Sequence, residues 1–220
     1  MNKLFTIFFA CILSLLPALS SGQGFQINLD LQNSLDTIAY LGHHFGTQRY
    51  VDDTANVVNG PVEFSGSTPL PEGIYFYYTP STYFEFLIGQ QSFSIKADAR
   101  DVVNTIDFTN SPVNVGFYYM QRYTAQKRQE SNELKKQMEL TQDAAAKAKY
   151  EQELLAINDA VLTYQKSLQQ EYPGSMLDRL IQVMQKPTIP DAPDNADQLL
   201  FDYLYYKNHY WANIDIADPG

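Results

Sequence analysis

Between Tyr150 and Leu168 the apolar residues fall at Tyr150, Leu154, Ile157, Val161, Tyr164 and Leu168, in alternating steps of four and three. That spacing draws one continuous apolar seam along a long helix, as in a coiled-coil partner. Such a seam requires a second surface against it. It stores packing energy and does no chemistry. Gln165 lies off it.

The partner is legible just upstream. Ser111 reads as an N-cap with Pro112 at the first helical position, where its missing N–H costs nothing. Val113, Phe117 and Met120 then share a face, which Leu134 and Met138 resume after a polar stretch at Thr124, Lys127 and Ser131. The pattern predicts a helix to about Leu140, a tight reversal, and the seam helix returning antiparallel behind a cap at Thr141 or Asp143. Two helices of about 28 residues would each run about 42 Å. One uninterrupted helix is the alternative, because Thr141-Gln142-Asp143 contains neither Gly nor Pro.

Tyr172-Pro173-Gly174 ends the seam helix. Ser175 caps a short helix to about Gln185, and the Pro- and Asp-containing stretch from Lys186 to Ala196 is an extended connector. Leu199 to Asn213 is a last helix that is apolar nearly all round. A helix without a polar face has to be covered on most sides. Leu200, Phe201, Leu204, Tyr205 and Trp211 are therefore the candidate interaction surface.

The preceding region reads as strands. Phe25 to Leu31 alternates apolar and polar with period two, followed by a turn at Asn33-Ser34. Further strands are expected at Thr37 to Phe45, Arg49 to Val58, Val62 to Phe64, Gly73 to Thr79, Tyr83 to Ile88, Ser92 to Ala97 and Ile106 to Phe108. Asn59-Gly60 is the strongest hairpin signal. About eight short strands so spaced predict an antiparallel β-sandwich or open barrel. The fold class is α+β: a β domain (23–110), a long antiparallel helical hairpin (111–172), then two shorter helices and an acidic connector (173–220).

Lys3, the apolar run Leu4 to Leu16 and the small-x-small Ala18-Leu19-Ser20 have the form of a cleavable signal peptide over residues 1–22. The expected location is periplasmic or secreted, with no membrane attachment after cleavage. Cys11, inside that segment, is the sole cysteine. The mature chain would then hold no disulfide, thiolate nucleophile or cysteine metal ligand. With 15 Lys and Arg against 25 Asp and Glu, the net charge is -10. That argues against nucleic acid or anionic lipid as partner, since both need a basic face.

No residue pattern identifies a catalytic site, cofactor site or metal site. His43-His44 would point to opposite faces of a strand and cannot chelate one metal together. Asp98, Arg100 and Asp101 lack the Gly and distal Glu of a calcium loop and read as a solvated turn. Glu85 sits on a strand among aromatics without a second carboxylate placed beside it. The aromatic run Tyr75-Phe76-Tyr77-Tyr78 with Tyr83-Phe84 suits a core and a sheet surface, and could also stack on sugar rings.

Several stretches carry a family likeness: Ile38-Ala39-Tyr40-Leu41-Gly42, Asp53-Thr54, Pro69-Leu70-Pro71-Glu72-Gly73-Ile74-Tyr75, Tyr83-Phe84-Glu85-Phe86-Leu87-Ile88, Asn110-Ser111-Pro112, and Tyr206-Lys207-Asn208-His209-Tyr210-Trp211 with Asn213-Ile214-Asp215. From about Phe25 to Asp218 the chain resembles the N-terminal region of Bacteroidetes envelope proteins of the thioredoxin-like, thiol–disulfide interchange group. In those proteins a β-rich domain and a helical segment, both of unknown function, precede a thioredoxin fold with a Cys-x-x-Cys pair. No residue here corresponds to the redox cysteines, so no catalytic residue carries over. The resemblance implies a non-catalytic accessory region that docks, positions or dimerises a thioredoxin-like domain, in cis or in trans, or self-associates. A fragment and a stand-alone paralogue are both open. The alternative is an independent envelope binding module, holding a glycan or other apolar ligand through its aromatic β domain.

Overall fold

The computed structural model describes residues 24–57, 61–194 and 196–212. The expected signal peptide, the Asn59-Gly60 turn and Asn213-Ile214-Asp215 lie outside the described residues. The architecture is α+β: two four-stranded sheets followed by helices.

The strands are β1 (Phe25–Gln32), β2 (Ile38–Phe45), β3 (Gln48–Asn56), β4 (Pro61–Gly66), β5 (Gly73–Tyr78), β6 (Tyr83–Ile88), β7 (Ser92–Asp98) and β8 (Asp107–Thr109). They form sheets of order β4-β1-β7-β8 and β3-β2-β5-β6. Period-two alternation turns Ile27, Leu29, Phe93 and Ile95 of the first sheet, and Leu41, Tyr77 and Phe86 of the second, into one core. The rings of Phe64 and Tyr77 meet edge-on at 6.4 Å, and those of Phe86 and Phe93 at 5.9 Å, across the gap between the sheets.

Pairing is antiparallel with one exception. β1 and β7 run parallel, from Gln26 opposite Ser92 to Gln32 opposite Asp98. The all-antiparallel expectation is corrected there. Parallel neighbours need a long crossover, and the run from β2 to β6, which passes through both sheets, supplies it. The Asp98–Asp101 turn leads into a one-turn helix, α1 (Val102–Thr105), capped by the Asp101 side chain.

Helix α2 (Pro112–Leu140) begins where two strand edges lie open, since β6 and β8 each end a sheet. Asn114 treats the β6 edge as a neighbouring strand would. Its Oδ1 accepts from the Leu87 N–H at 2.7 Å, and its Nδ2 donates to the Leu87 carbonyl at 2.8 Å. One turn later the Tyr118 hydroxyl donates to the Glu85 carbonyl at 2.9 Å, and its ring packs on Phe108 of β8 at 5.3 Å. An exposed edge is thereby closed by side chains. Ser111 stands at the N-cap, but its hydroxyl donates to Gln90 Oε1 and accepts from Asn114 Nδ2 rather than capping the backbone.

The hairpin alternative holds over a single helix. The chain leaves helical geometry at Thr141, and α3 (Ala144–Glu171) starts behind Asp143, whose side chain accepts from the Ala145 N–H at 2.9 Å. The rings of Tyr123 and Tyr164 pack at a tilt across the pair, 4.5 Å apart. The seam residues from Tyr150 to Tyr164 are half-buried, and only Gln165 and Leu168 of α3 are buried. Gln165 corrects the off-seam reading: the base of α3 also packs on α4 (Met176–Met184), a second contact that seam periodicity does not report. Gly116 allows α2 to approach this corner, because a Cβ there would lie 2.6 Å from the Tyr172 ring and 3.1 Å from Leu177. An extended connector then leads to α5 (Gln198–His209).

Candidate interaction surfaces

All five residues singled out from the sequence lie on α5 or in the turn that follows it. Asp197 caps the helix through the Leu200 N–H at 3.0 Å. Leu200, Leu204 and Trp211 are 56%, 44% and 61% exposed, and Phe201 and Tyr205 are half-buried, with rings 5.9 Å apart. His209 stacks on Tyr205 at 3.9 Å and Lys207 lies 6.0 Å from the Tyr203 ring. These contacts are all internal to the helix. No α5 side chain is buried, and none joins the core. Leu199 and Tyr203, on the opposite side, are exposed as well. The structure therefore brings the candidate residues together and leaves them uncovered on more than one face.

A second surface was not assembled by sequence reasoning. The face of the β3-β2-β5-β6 sheet turned away from the core carries Tyr40, Tyr78 and Tyr83 as register partners across β2, β5 and β6. One step along, Phe76 stands between Gly42 and Glu85. Its ring passes over Gly42, where a Cβ would lie 2.4 Å from Cζ, and packs on His44 and Tyr83 at 5.4 and 5.7 Å.

Glu85 anchors the polar part of this face. Its Oε1 accepts from the Tyr83 hydroxyl at 2.5 Å and lies 3.0 Å from His44 Nε2. Burial, the hydrogen bond to Glu85 and its charge push the Tyr83 phenol up to about 12. Tyr83 is therefore a neutral donor throughout the physiological range. The two-strand separation of His44 and Glu85 is closed only by the register of β2, β5 and β6, so no local motif announced it.

His43 turns the other way, as expected for adjacent strand residues. Its Nδ1 sits 2.7 Å from Asp52 and its ring packs on Tyr50 and Tyr75. Asp98 is clasped by Arg100 through Nε and Nη2 at 3.0 and 2.6 Å, with Asn33 adding a bond at 2.9 Å. The Arg100 contacts hold its carboxyl well below the usual range. These residues form a turn clasp. Among the described residues no group of three or more His, Cys, Asp or Glu is arranged to hold a metal, and no helix is long and apolar enough to cross a membrane.

No curated protein and no solved structure matches the chain. Residues 25–117, which comprise the eight strands, α1 and the start of α2, match the model of a domain of unknown function, DUF4369.

Proposed function

We propose that this chain is a non-catalytic accessory region of an exported thioredoxin-like, thiol–disulfide interchange protein, and that α5 is the face it offers to the redox domain. The observation that carries this reading is an aromatic helix with no buried side chain, following a closely packed sandwich. Exposed apolar surface of this extent is characteristic of an interaction site. The likeness to the thioredoxin-like envelope group supports the identity of the partner. Thiol–disulfide exchange needs an attacking thiolate, and no cysteine follows Cys11. The redox chemistry belongs to the partner domain.

Trp211 is the sole tryptophan and lies within this surface, so it reports docking directly. The monomeric chain is titrated with a reduced thioredoxin-like domain carrying a Cys-x-x-Cys pair, supplied in trans or joined after Pro219. The expected result is a saturable blue shift of Trp211 emission, weakened at least about tenfold by Leu204→Asp. No change in either arrangement contradicts the reading.

A further inference from the structure

We propose that the solvent face of the β3-β2-β5-β6 sheet is a binding site for a neutral pyranose oligosaccharide, on residues separate from α5 and independent of its docking role. The first support is the row of rings. Tyr40, Tyr78 and Tyr83 stand side by side on adjacent strands, with Tyr40 and Tyr78 ring centroids 5.9 Å apart. Tyr78 and Tyr83 are 43% and 42% exposed, although phenol rings on a sheet are readily buried by a covering layer. α2 and α4 pack on β6 and bury Leu87 on this same face, yet leave the tyrosine row uncovered.

The second support is the distribution of polar atoms beside the rings. Glu85 Oε1 is taken by Tyr83 and His44, while Oε2 has no hydrogen-bond partner among the described residues. His44 Nε2 faces Glu85 and Tyr83, which leaves Nδ1 turned from that cluster. Arg49 pairs with His44 in the β2–β3 register and acts as a positive charge on the Tyr83 phenol, on the same face as the Glu85 carboxylate. The face thus combines flat apolar rings, opposite charges and unshared hydrogen-bonding atoms.

A pyranose chain has the complementary composition: apolar C–H faces that lie on rings, and a rim of hydroxyls that both donate and accept. An apolar protein surface laid on the same face would strand the Glu85 carboxylate and the Arg49 guanidinium away from water, at a high cost. Hydroxyls remove that cost by hydrogen bonding to them. Gly42 serves the same end. Its missing side chain lets the Phe76 ring lie over the strand, where it is nearly buried and supports the stacked Tyr83 ring from below.

The test is an amide-resolved NMR titration of the signal-free chain with maltohexaose, cellohexaose and chitohexaose in turn. At least one is expected to give saturable shifts centred on the amides of Tyr40, Gly42, Tyr78, Tyr83 and Glu85. Tyr78→Ala and Tyr83→Ala should each weaken binding about tenfold, and Glu85→Gln should weaken it by a smaller factor without altering the melting temperature. Several results overturn the proposal, three of them on this face. They are no saturable shift from any of the three sugars at about 10 mM, a value already far weaker than useful recognition; undiminished binding by both tyrosine variants; or shifts of these amides on raising protein concentration alone, which would assign the face to a second copy. Shifts confined to α5 would likewise overturn it, and would leave the docking reading to its own titration.

Discussion

At the corner where α2, α3 and α4 meet, one carboxylate is held by donors alone. Asp178 is buried and accepts from the Gly174 N–H at 2.8 Å and from the side-chain amides of Gln169 and Gln182, both at 2.9 Å. Burial pushes its carboxyl up, but the bonds from Gly174, Gln169 and Gln182 outweigh that and hold it below the ordinary value of 3.8. The folded group therefore binds its proton less readily than the unfolded one. Its contribution to stability is complete above the ordinary carboxyl range and is lost as pH falls through that range toward the folded value. Asp178→Asn should cost about 1–3 kcal/mol near neutrality, since an amide N–H₂ would face donors where a carboxylate oxygen now accepts. It should also flatten the acid limb of a melting-temperature profile below about pH 4. An unchanged acid limb in the variant would show that this cluster does not couple to folding.

The helical hairpin separates what periodicity reports from what it misses. Ile157 is half-buried in the seam, beside a groove also lined by Glu130, Glu133, Leu134 and Glu153. Ile157→Asp should destabilise by about 1–3 kcal/mol, because it adds a carboxylate among three others and removes a seam contact. Leu155→Asp, at an exposed position of the same helix, should change stability by less than about 0.5 kcal/mol. Thermal melts of the two variants decide it, and equal shifts would mean the seam is not the packing interface. Caps made the helices readable: Pro112, Asp143 and Ser175 each stand at the start of an element the sequence located. Gln165 was not readable, because α4 approaches the base of α3 from a second side. The parallel β1–β7 pair was not readable either. Alternation tells which face a residue takes and is silent on which strand lies alongside. The same silence hid the meeting of His44 with Glu85, whereas the opposed directions of His43 and His44 followed from strand geometry alone.

Across the whole molecule, packing is graded. The sandwich is filled by two inner faces, and α2 seals its open side through Asn114 and Tyr118. The hairpin beyond Tyr123 relies on a half-buried seam, and α5 contributes nothing to the core. That gradient runs from a filled core to an uncovered helix, which is the order the proposed accessory role requires. A short isolated helix is marginal in water, so the proposed docking role has α5 gain lasting order by being covered. Amide hydrogen exchange of the monomeric chain, alone and joined to a thioredoxin-like domain after Pro219, tests this most directly. The account predicts that the α5 amides exchange at near-unfolded rates in the chain alone, while β5, β6 and the start of α2 are protected. It further predicts that α5 protection rises at least about tenfold when the domain is present. Full protection of α5 in the monomeric chain alone would contradict it.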